Sequence, residues 1–314
     1  MRRELPLLIC LTRGRIDDRF FSDVLKKSDC EILENCDLAS FSSARLTSVV
    51  RAVVYPDDEI KTIEIVSRLA EYGLPYIVVG GFSNLLIKNG YYNGVVVKTD
   101  RIATKTLAEN RMTIGCGVRM GSTIMKMASF DLGGMEGLAG IPGTVGGMVK
   151  QNAGAFGYEI SDRLTEAVCY LPKENKVKRL SKSDMEFSYR HSILTDRSLV
   201  LLSATFDLVP SSRDDILAKI RAFRQKRIET QPIEYPSLGS VFKRHNGTSA
   251  GFYIDKSGLK GFSIGGAQVS QKHAGFIVNK GGATADDYLK VIEYVKKRVC
   301  AEFGIELKEE IEIV

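Results

Sequence analysis

Residues 133–159, GGMEGLAGIPGTVGGMVKQNAGAFGYE, carry nine of the chain's 29 glycines, so the backbone here is kept bare of side chains. Glycine loses more conformational freedom on folding than any other residue, and it recurs where φ is positive or where main-chain N–H groups approach a ligand. Gly140-Ile141-Pro142-Gly143-Thr144-Val145-Gly146-Gly147 reads as a turn followed by a bare surface, and Asn152-Ala153-Gly154-Ala155 as a second small-residue turn with one amide side chain. Together they suit the floor beneath a flat, phosphate-bearing cofactor. Glycine content alone suits a loop-rich crossing of a large sheet equally well.

A second cluster favours the cofactor. Apolar Tyr76-Ile77-Val78-Val79 is followed by Gly80-Gly81-Phe82-Ser83-Asn84 and then by Leu85-Leu86-Ile87. A tight turn between buried strands exposes successive N–H groups that can cradle a pyrophosphate. The turn has neither the G-x-G-x-x-G spacing nor the Lys-Ser/Thr pair of a P-loop, and no long helix pattern follows it.

The chain's 314 residues are enough for two or three cores, and 44% hydrophobic with 26% charged residues is ordinary for a globular protein. The net charge of +6 is dispersed, which weakly favours anionic ligands such as nucleotides. The densest basic run, residues 221–227, lies on a helix pattern without stacking aromatics, so no nucleic-acid partner is expected. Six cysteines without C-x-x-C spacing and three histidines argue against structural zinc, any other metal site or a disulfide framework, and a reducing cytoplasm is the simplest setting. No apolar run is long enough to span a bilayer, and residues 5–11 read as a short helix or arm rather than a signal peptide.

Along the chain, a helix over 18–26 and a polar connection to residue 40 lead into a strand at 49–54. Pro56-Asp57-Asp58-Glu59 opens a helix with Ile60, Ile63, Val66 and Ala70 at helical spacing, closed by Gly73 and Pro75. A second lobe begins at 112–118, with a helix over 122–130 and strands over 165–171 and 199–209. A third unit begins near Ser211 with a helix whose apolar face is Ile216, Ile220 and Phe223. Thr284 and Asp287 cap a long helix that buries Tyr288, Val291, Ile292, Val295 and Val299 and ends at Gly304. The tail alternates Leu307, Ile311 and Ile313 with Lys308, Glu310 and Glu312, a strand with one charged face.

The strings VVGGFSNLLI, GLAGIPGTVGGMVKQNAGAFGYE, YRHS, TQP, PSLGSVFK, GLKGFSIGGAQVSQKHAGFIVNKGGAT and LKEEIEI occur in an order that resembles the UDP-N-acetylenolpyruvoylglucosamine reductases, from about Leu38 onward. These flavoenzymes complete UDP-N-acetylmuramate for bacterial cell walls. The resemblance implies an α+β fold: an N-terminal arm and helix (1–40), then a two-lobed FAD-binding domain of the vanillyl-alcohol-oxidase type (41–210, lobes about 41–105 and 106–210). A C-terminal α+β substrate domain (211–305) follows, and a strand (306–314) returns to the active site. It further implies noncovalent FAD, NADPH as co-substrate and UDP-N-acetylglucosamine-enolpyruvate as substrate. The setting would be the bacterial cytoplasm, with no membrane association, as a monomer or weak oligomer. The rivals are another FAD-linked oxidoreductase or oxidase of the same fold and a non-catalytic nucleotide-sugar-binding flavoprotein.

Hydride addition to the enolpyruvyl group pushes charge into its carboxylate, so the site needs cationic or acidic donors and a placed acid. By resemblance Arg190 of YRHS stabilises that charge, Ser240 of PSLGSVFK donates the proton, and Glu310 supports the carboxylate. On residues alone, Arg190 reads equally as a surface arginine, Ser240 is one of several serines, and alternation does not separate Glu310 from Glu312. Cofactor contacts are expected from Gly80, Gly81, Phe82, Ser83, Asn84 and Leu85, from Ile141, Pro142, Gly143, Thr144, Gly146 and Gly147, and from Asn152, Ala153 and Gly154. Substrate contacts are expected from Tyr189, Lys243, Gln268 and His273. Phe82 stands where the family usually has glycine, so it is expected either to forbid a positive φ or to cover the adenine end. The short interval between YRHS and PSLGS places the chain in the short class, which lacks a tyrosine-bearing loop.

Overall fold

The structure, a computed structural model, describes Leu25, residues 29–195 and residues 199–314. Apart from Leu25, the helix expected over 18–26 and the arm at 5–11 lie outside the described residues.

The first lobe runs β1 (Glu31–Asp37), β2 (Val49–Tyr55), α1 (Glu59–Glu71), β3 (Tyr76–Val79), β4 (Leu85–Leu86) and β5 (Tyr91–Lys98). Its sheet has the order β1-β2-β5-β3, with β2 and β3 parallel to β5 and β1 antiparallel at the edge. Val53, Val54, Val96 and Val97 are buried because both faces of β2 and β5 are covered, the usual fate of parallel strands. Asp58 caps α1, its Oδ1 accepting the Lys61 N–H at 2.7 Å. The buried stripe of α1 is Thr62, Ile65, Val66 and Leu69, while Ile60 is 68% exposed, so the helix is turned from the expected face. Strand β1 occupies part of the expected polar connection. Its sequence EILENCD is mostly exposed at a sheet edge, which removes the alternation that marks a half-buried strand.

The second lobe contains β6 (Lys105–Ala108), β7 (Arg111–Gly115), α2 (Met120–Met127), β8 (Leu132–Gly133), α3 (Val145–Lys150), β9 (Gly154–Ala155), β10 (Tyr158–Glu159), β11 (Leu164–Leu171), β12 (Lys176–Ser181), β13 (Val200–Asp207), β14 (Val209–Pro210) and α4 (Arg213–Thr230). The antiparallel sheet β12-β11-β13-β7-β6 carries the glycine run as short turns, α3 and the β9/β10 hairpin. Helix α4 starts on Ser212, whose hydroxyl accepts the Asp215 N–H at 3.1 Å. The sequence reading sets this helix at the head of the third unit, but its apolar face packs on the second lobe. Ile216 is buried beside Gly133, and the Phe223 ring stacks on Phe156 at 4.9 Å.

The third unit holds β15 (Ser237–Ser240), α5 (Ala250–Lys256), β16 (Ser263–Ile264), β17 (Ala267–Val269), β18 (Phe276–Asn279) and α6 (Ala285–Phe303). The sheet order is β15-β18-β17-β16, and α6 buries Tyr288, Val291, Ile292, Val295 and Val299 in the same core. Thr284 and Asp287 form a reciprocal capping box, and Gly304 ends α6 at φ +67°. The chain then leaves this unit. Strand β19 (Glu312–Ile313) pairs in parallel with β4 of the first lobe. Within the tail, Leu307 and Ile311 are buried, and Glu310 and Glu312 line a cleft.

Candidate active site

Strands β3, β13 and β15, one from each of the three larger sheets, border a cleft of about 810 Å³. Its floor is the glycine run and one wall is the turn after β3. The two glycine loops meet there. A Cβ on Gly81 would lie 3.5 Å from the Gly143 Cα, and the Ser83 hydroxyl donates to the Pro142 carbonyl at 3.0 Å. A Cβ on Gly80 would fall 1.9 Å from the Thr144 Oγ1, so glycine is obligatory at this approach. The Thr144 hydroxyl is buried without a hydrogen-bond partner among the described residues. A buried orphan hydroxyl beside bare main chain suits an acceptor-rich phosphate group. The residues therefore fit the FAD expected on them.

Fourteen of the fifteen expected cofactor residues line this cleft: Gly80, Gly81, Phe82, Ser83, Asn84, Leu85, Ile141, Pro142, Gly143, Thr144, Gly146, Gly147, Ala153 and Gly154. Asn152 does not. It is buried beneath the floor, where its amide donates to Glu159 Oε2 (2.9 Å) and the Ser188 carbonyl (3.1 Å) and its Oδ1 accepts the Ser161 N–H (3.2 Å). Its side chain is used up in bracing the loop. Phe82 adopts φ +49°, and its side chain is buried in the first-lobe core with Leu38, Val50 and Ile77. Burial of the ring offsets the strain of a left-handed non-glycine residue, about 1–3 kcal/mol. Phe82 thus does not forbid the positive φ, and its ring is packed into the core instead of lying open to the cleft.

Arg190 enters from the second lobe, also at positive φ (+53°). Its Nε donates to Glu310 Oε1 at 2.7 Å, its Nη2 to the Gly154 carbonyl at 3.1 Å, and its guanidinium lies 5.2 Å from the Tyr189 ring centre. The two side chains are 18% and 15% exposed. The tail delivers Glu310 by main-chain bonds: its N–H donates to the Val241 carbonyl at 2.7 Å, and its carbonyl accepts Asn84 Nδ2 at 3.1 Å. Burial pushes the Glu310 carboxyl above the ordinary glutamate range. Arg190, and then Lys243 and Arg244, pull it back without cancelling that effect.

Ser240 lines the cleft from β15, with its Oγ 3.4 Å from where a Cβ on Gly275 would sit. Tyr189 and His273 line it too. His273 Nδ1 accepts the Gly275 N–H at 3.1 Å and burial lowers the ring's pKa, which gives a neutral imidazole with its proton on Nε2. Gln268 lies off the cleft wall, its Nε2 donating to the Gly261 carbonyl (3.2 Å). Lys243 is not on the wall either, but its charge acts on Glu310 there, and its N–H donates to the Lys308 carbonyl (2.8 Å).

Sequence reasoning missed several residues of this cleft. Lys150 Nζ meets Glu312 Oε2 at 2.6 Å on its wall. A lone lysine closing an otherwise side-chain-poor glycine run was the available signal. Arg227 lies 5.2 Å from the Phe156 ring centre, with its Nε buried and without a hydrogen-bond partner among the described residues. Cys116 backs the floor, and burial pushes its thiol up to about 12, so it stays protonated and poorly nucleophilic. Among the described residues no cluster of His, Cys, Asp and Glu could hold a metal, and no helix is long and apolar enough to cross a membrane.

A family model described as an FAD binding domain matches residues 50–180, and one described as the C-terminal domain of UDP-N-acetylenolpyruvoylglucosamine reductase matches residues 231–314. The UDP-N-acetylenolpyruvoylglucosamine reductase of Caldicellulosiruptor saccharolyticus is 39% identical over 296 residues, 94% of this chain and 95% of that protein. That of Lactobacillus helveticus is 39% identical over 290 residues, 92% and 97%. The crystal structure of the Thermus caldophilus reductase matches with a TM-score of 0.76 and 29% identity, covering 90% of this chain and 98% of that one. With the glycine-lined cleft, this identity over nearly the full length makes the chain a member of the UDP-N-acetylenolpyruvoylglucosamine reductase family.

Proposed function

We propose that the chain reduces UDP-N-acetylglucosamine-enolpyruvate to UDP-N-acetylmuramate with noncovalently held FAD and NADPH, in the peptidoglycan precursor synthesis of a bacterial cytoplasm. The observation that carries this reading is the Arg190–Glu310 pair, 2.7 Å apart in the same cleft as Ser240 and both glycine loops.

FAD held on the two glycine loops would supply hydride-transfer chemistry, with NADPH as the source of the electrons and C3 of the enolpyruvyl group as the acceptor. The protein's own residues meet the charge that follows. Arg190 stays cationic and offers paired N–H donors to the carboxylate as it gains charge. Glu310 keeps Arg190 aimed into the cleft, and burial raises its pKa above the ordinary glutamate range. Ser240 delivers a proton to C2, so hydride and proton together saturate the double bond. Main-chain N–H groups of residues 80–84 and the Thr144 hydroxyl would hold phosphate oxygens of the cofactor.

Purified protein tests the reading directly. It should be yellow, bleach with NADPH under anaerobic conditions, and regain colour on addition of the enolpyruvyl substrate. Recolouring by oxygen but not by that substrate would make it an oxidase, and no bleaching would make it a nucleotide-binding flavoprotein without this activity.

A further inference from the structure

Two charges from the second lobe hold the tail. Arg190 meets Glu310, and two residues further on Lys150 Nζ meets Glu312 Oε2 at 2.6 Å, both side chains 23% exposed. Lys150 is the last residue of α3, and its carbonyl accepts the buried Ser192 hydroxyl at 2.8 Å. The loop that presents Arg190 is thereby tied to the residue whose amine reaches Glu312. Across the tail, the Glu312 and Val314 N–H groups donate to the carbonyls of Asn84 and Leu86, both at 2.9 Å. Yet β19 pairs only two residues, Glu312 with Leu85 and Ile313 with Leu86. So short a ladder fixes few residues by itself, and the buried Ile311 and the Glu310 N–H bond to the Val241 carbonyl share the task; a slip of one residue would turn Glu310 and Glu312 to the opposite face.

We infer that Lys150 and Glu312 are positioning residues whose ion pair fixes the register of the tail, so that the Glu310 carboxylate lands on Arg190. The inference rests on the proposed reduction only for what Glu310 does once it is in place.

Lys150→Met and the near-isosteric Glu312→Gln should each slow substrate-driven recolouring of the NADPH-bleached holoenzyme by about tenfold, the range of a coupled charge pair. The double variant should be no slower than either single one, and the reversed pair Lys150→Glu with Glu312→Lys should regain most of the rate. In a Glu310→Gln background, Lys150→Met should cost nothing further. Amide hydrogen exchange at Glu312 and Val314 should quicken in each single variant and slow again in the reversed pair. An equal cost of Lys150→Met with or without Glu310, or unchanged exchange of the tail amides, overturns the inference. Faster tail exchange in a protein that never consumes the enolpyruvyl substrate would sink the proposed function and leave the register role standing.

Discussion

A serine hydroxyl gives its proton only to a stronger base, and the charged enolate left by hydride addition is one. Ser240→Ala should therefore leave bleaching by NADPH within about twofold of the parent while slowing recolouring by about a thousandfold, a split that single-turnover absorbance at the flavin band separates. Equal slowing of both halves would take the proton from another group. Glu310 makes a prediction about stability, and its sign follows from burial. Below its ordinary value of 4.5 the carboxyl is neutral in folded and unfolded chains alike; above it the unfolded chain ionises first and the folded state loses ground. Glu310→Gln should accordingly gain stability relative to the parent between pH 4 and pH 7 in urea unfolding. A relative loss over that interval would mean that Arg190 outweighs burial. Neither behaviour is legible in the one-dimensional string. Alternation puts Glu310 and Glu312 on the same face, and only the approach of Arg190 to one and Lys150 to the other gives them different work.

The turn after β3 is shaped by what it lacks. Rotating Thr144 gives too little relief to a Cβ on Gly80, because the Thr144 Cβ, which that rotation does not move, would still lie 2.9 Å away. Gly80→Ala must push the two loops apart and should weaken FAD binding by at least about a hundredfold, read by flavin titration of the refolded apoprotein. Unchanged affinity would show that the loops do not grip the cofactor. Elements with strong end signals were readable from sequence, and α6 with its Thr284–Asp287 box and Gly304 stop is the clearest. Elements defined by partners were not. Strand β1 has an exposed outer face and few apolar residues to betray it, and α4 shows an apolar stripe that says it packs without saying on which lobe. Phe82 misled for a related reason: a positive φ is costly for phenylalanine in isolation, and only the surrounding core reveals what offsets the cost.

The whole molecule divides its labour. The glycine loops of the cleft come from the first two lobes, whereas Ser240 reaches it from the third sheet and Glu310 from a tail strung between the third unit and the first lobe, so the proposed turnover draws on more of the chain than the proposed cofactor seat does. Saturating FAD at about a hundred times its Kd stabilises the folded state that binds it by about 2.7 kcal/mol. In rising urea, turnover should vanish before bound flavin is released into fluorescence; coincident curves would make the chain one indivisible unit. The glycine cluster made the seat legible early, while the convergence of three distant residues became visible only when three sheets met. That convergence also bears on inhibition. Because the end of the tail is held at this seam by a two-residue parallel ladder, a short peptide or peptidomimetic that replaces it against Leu85 and Leu86 could silence the protein without resembling nucleotide, sugar or flavin.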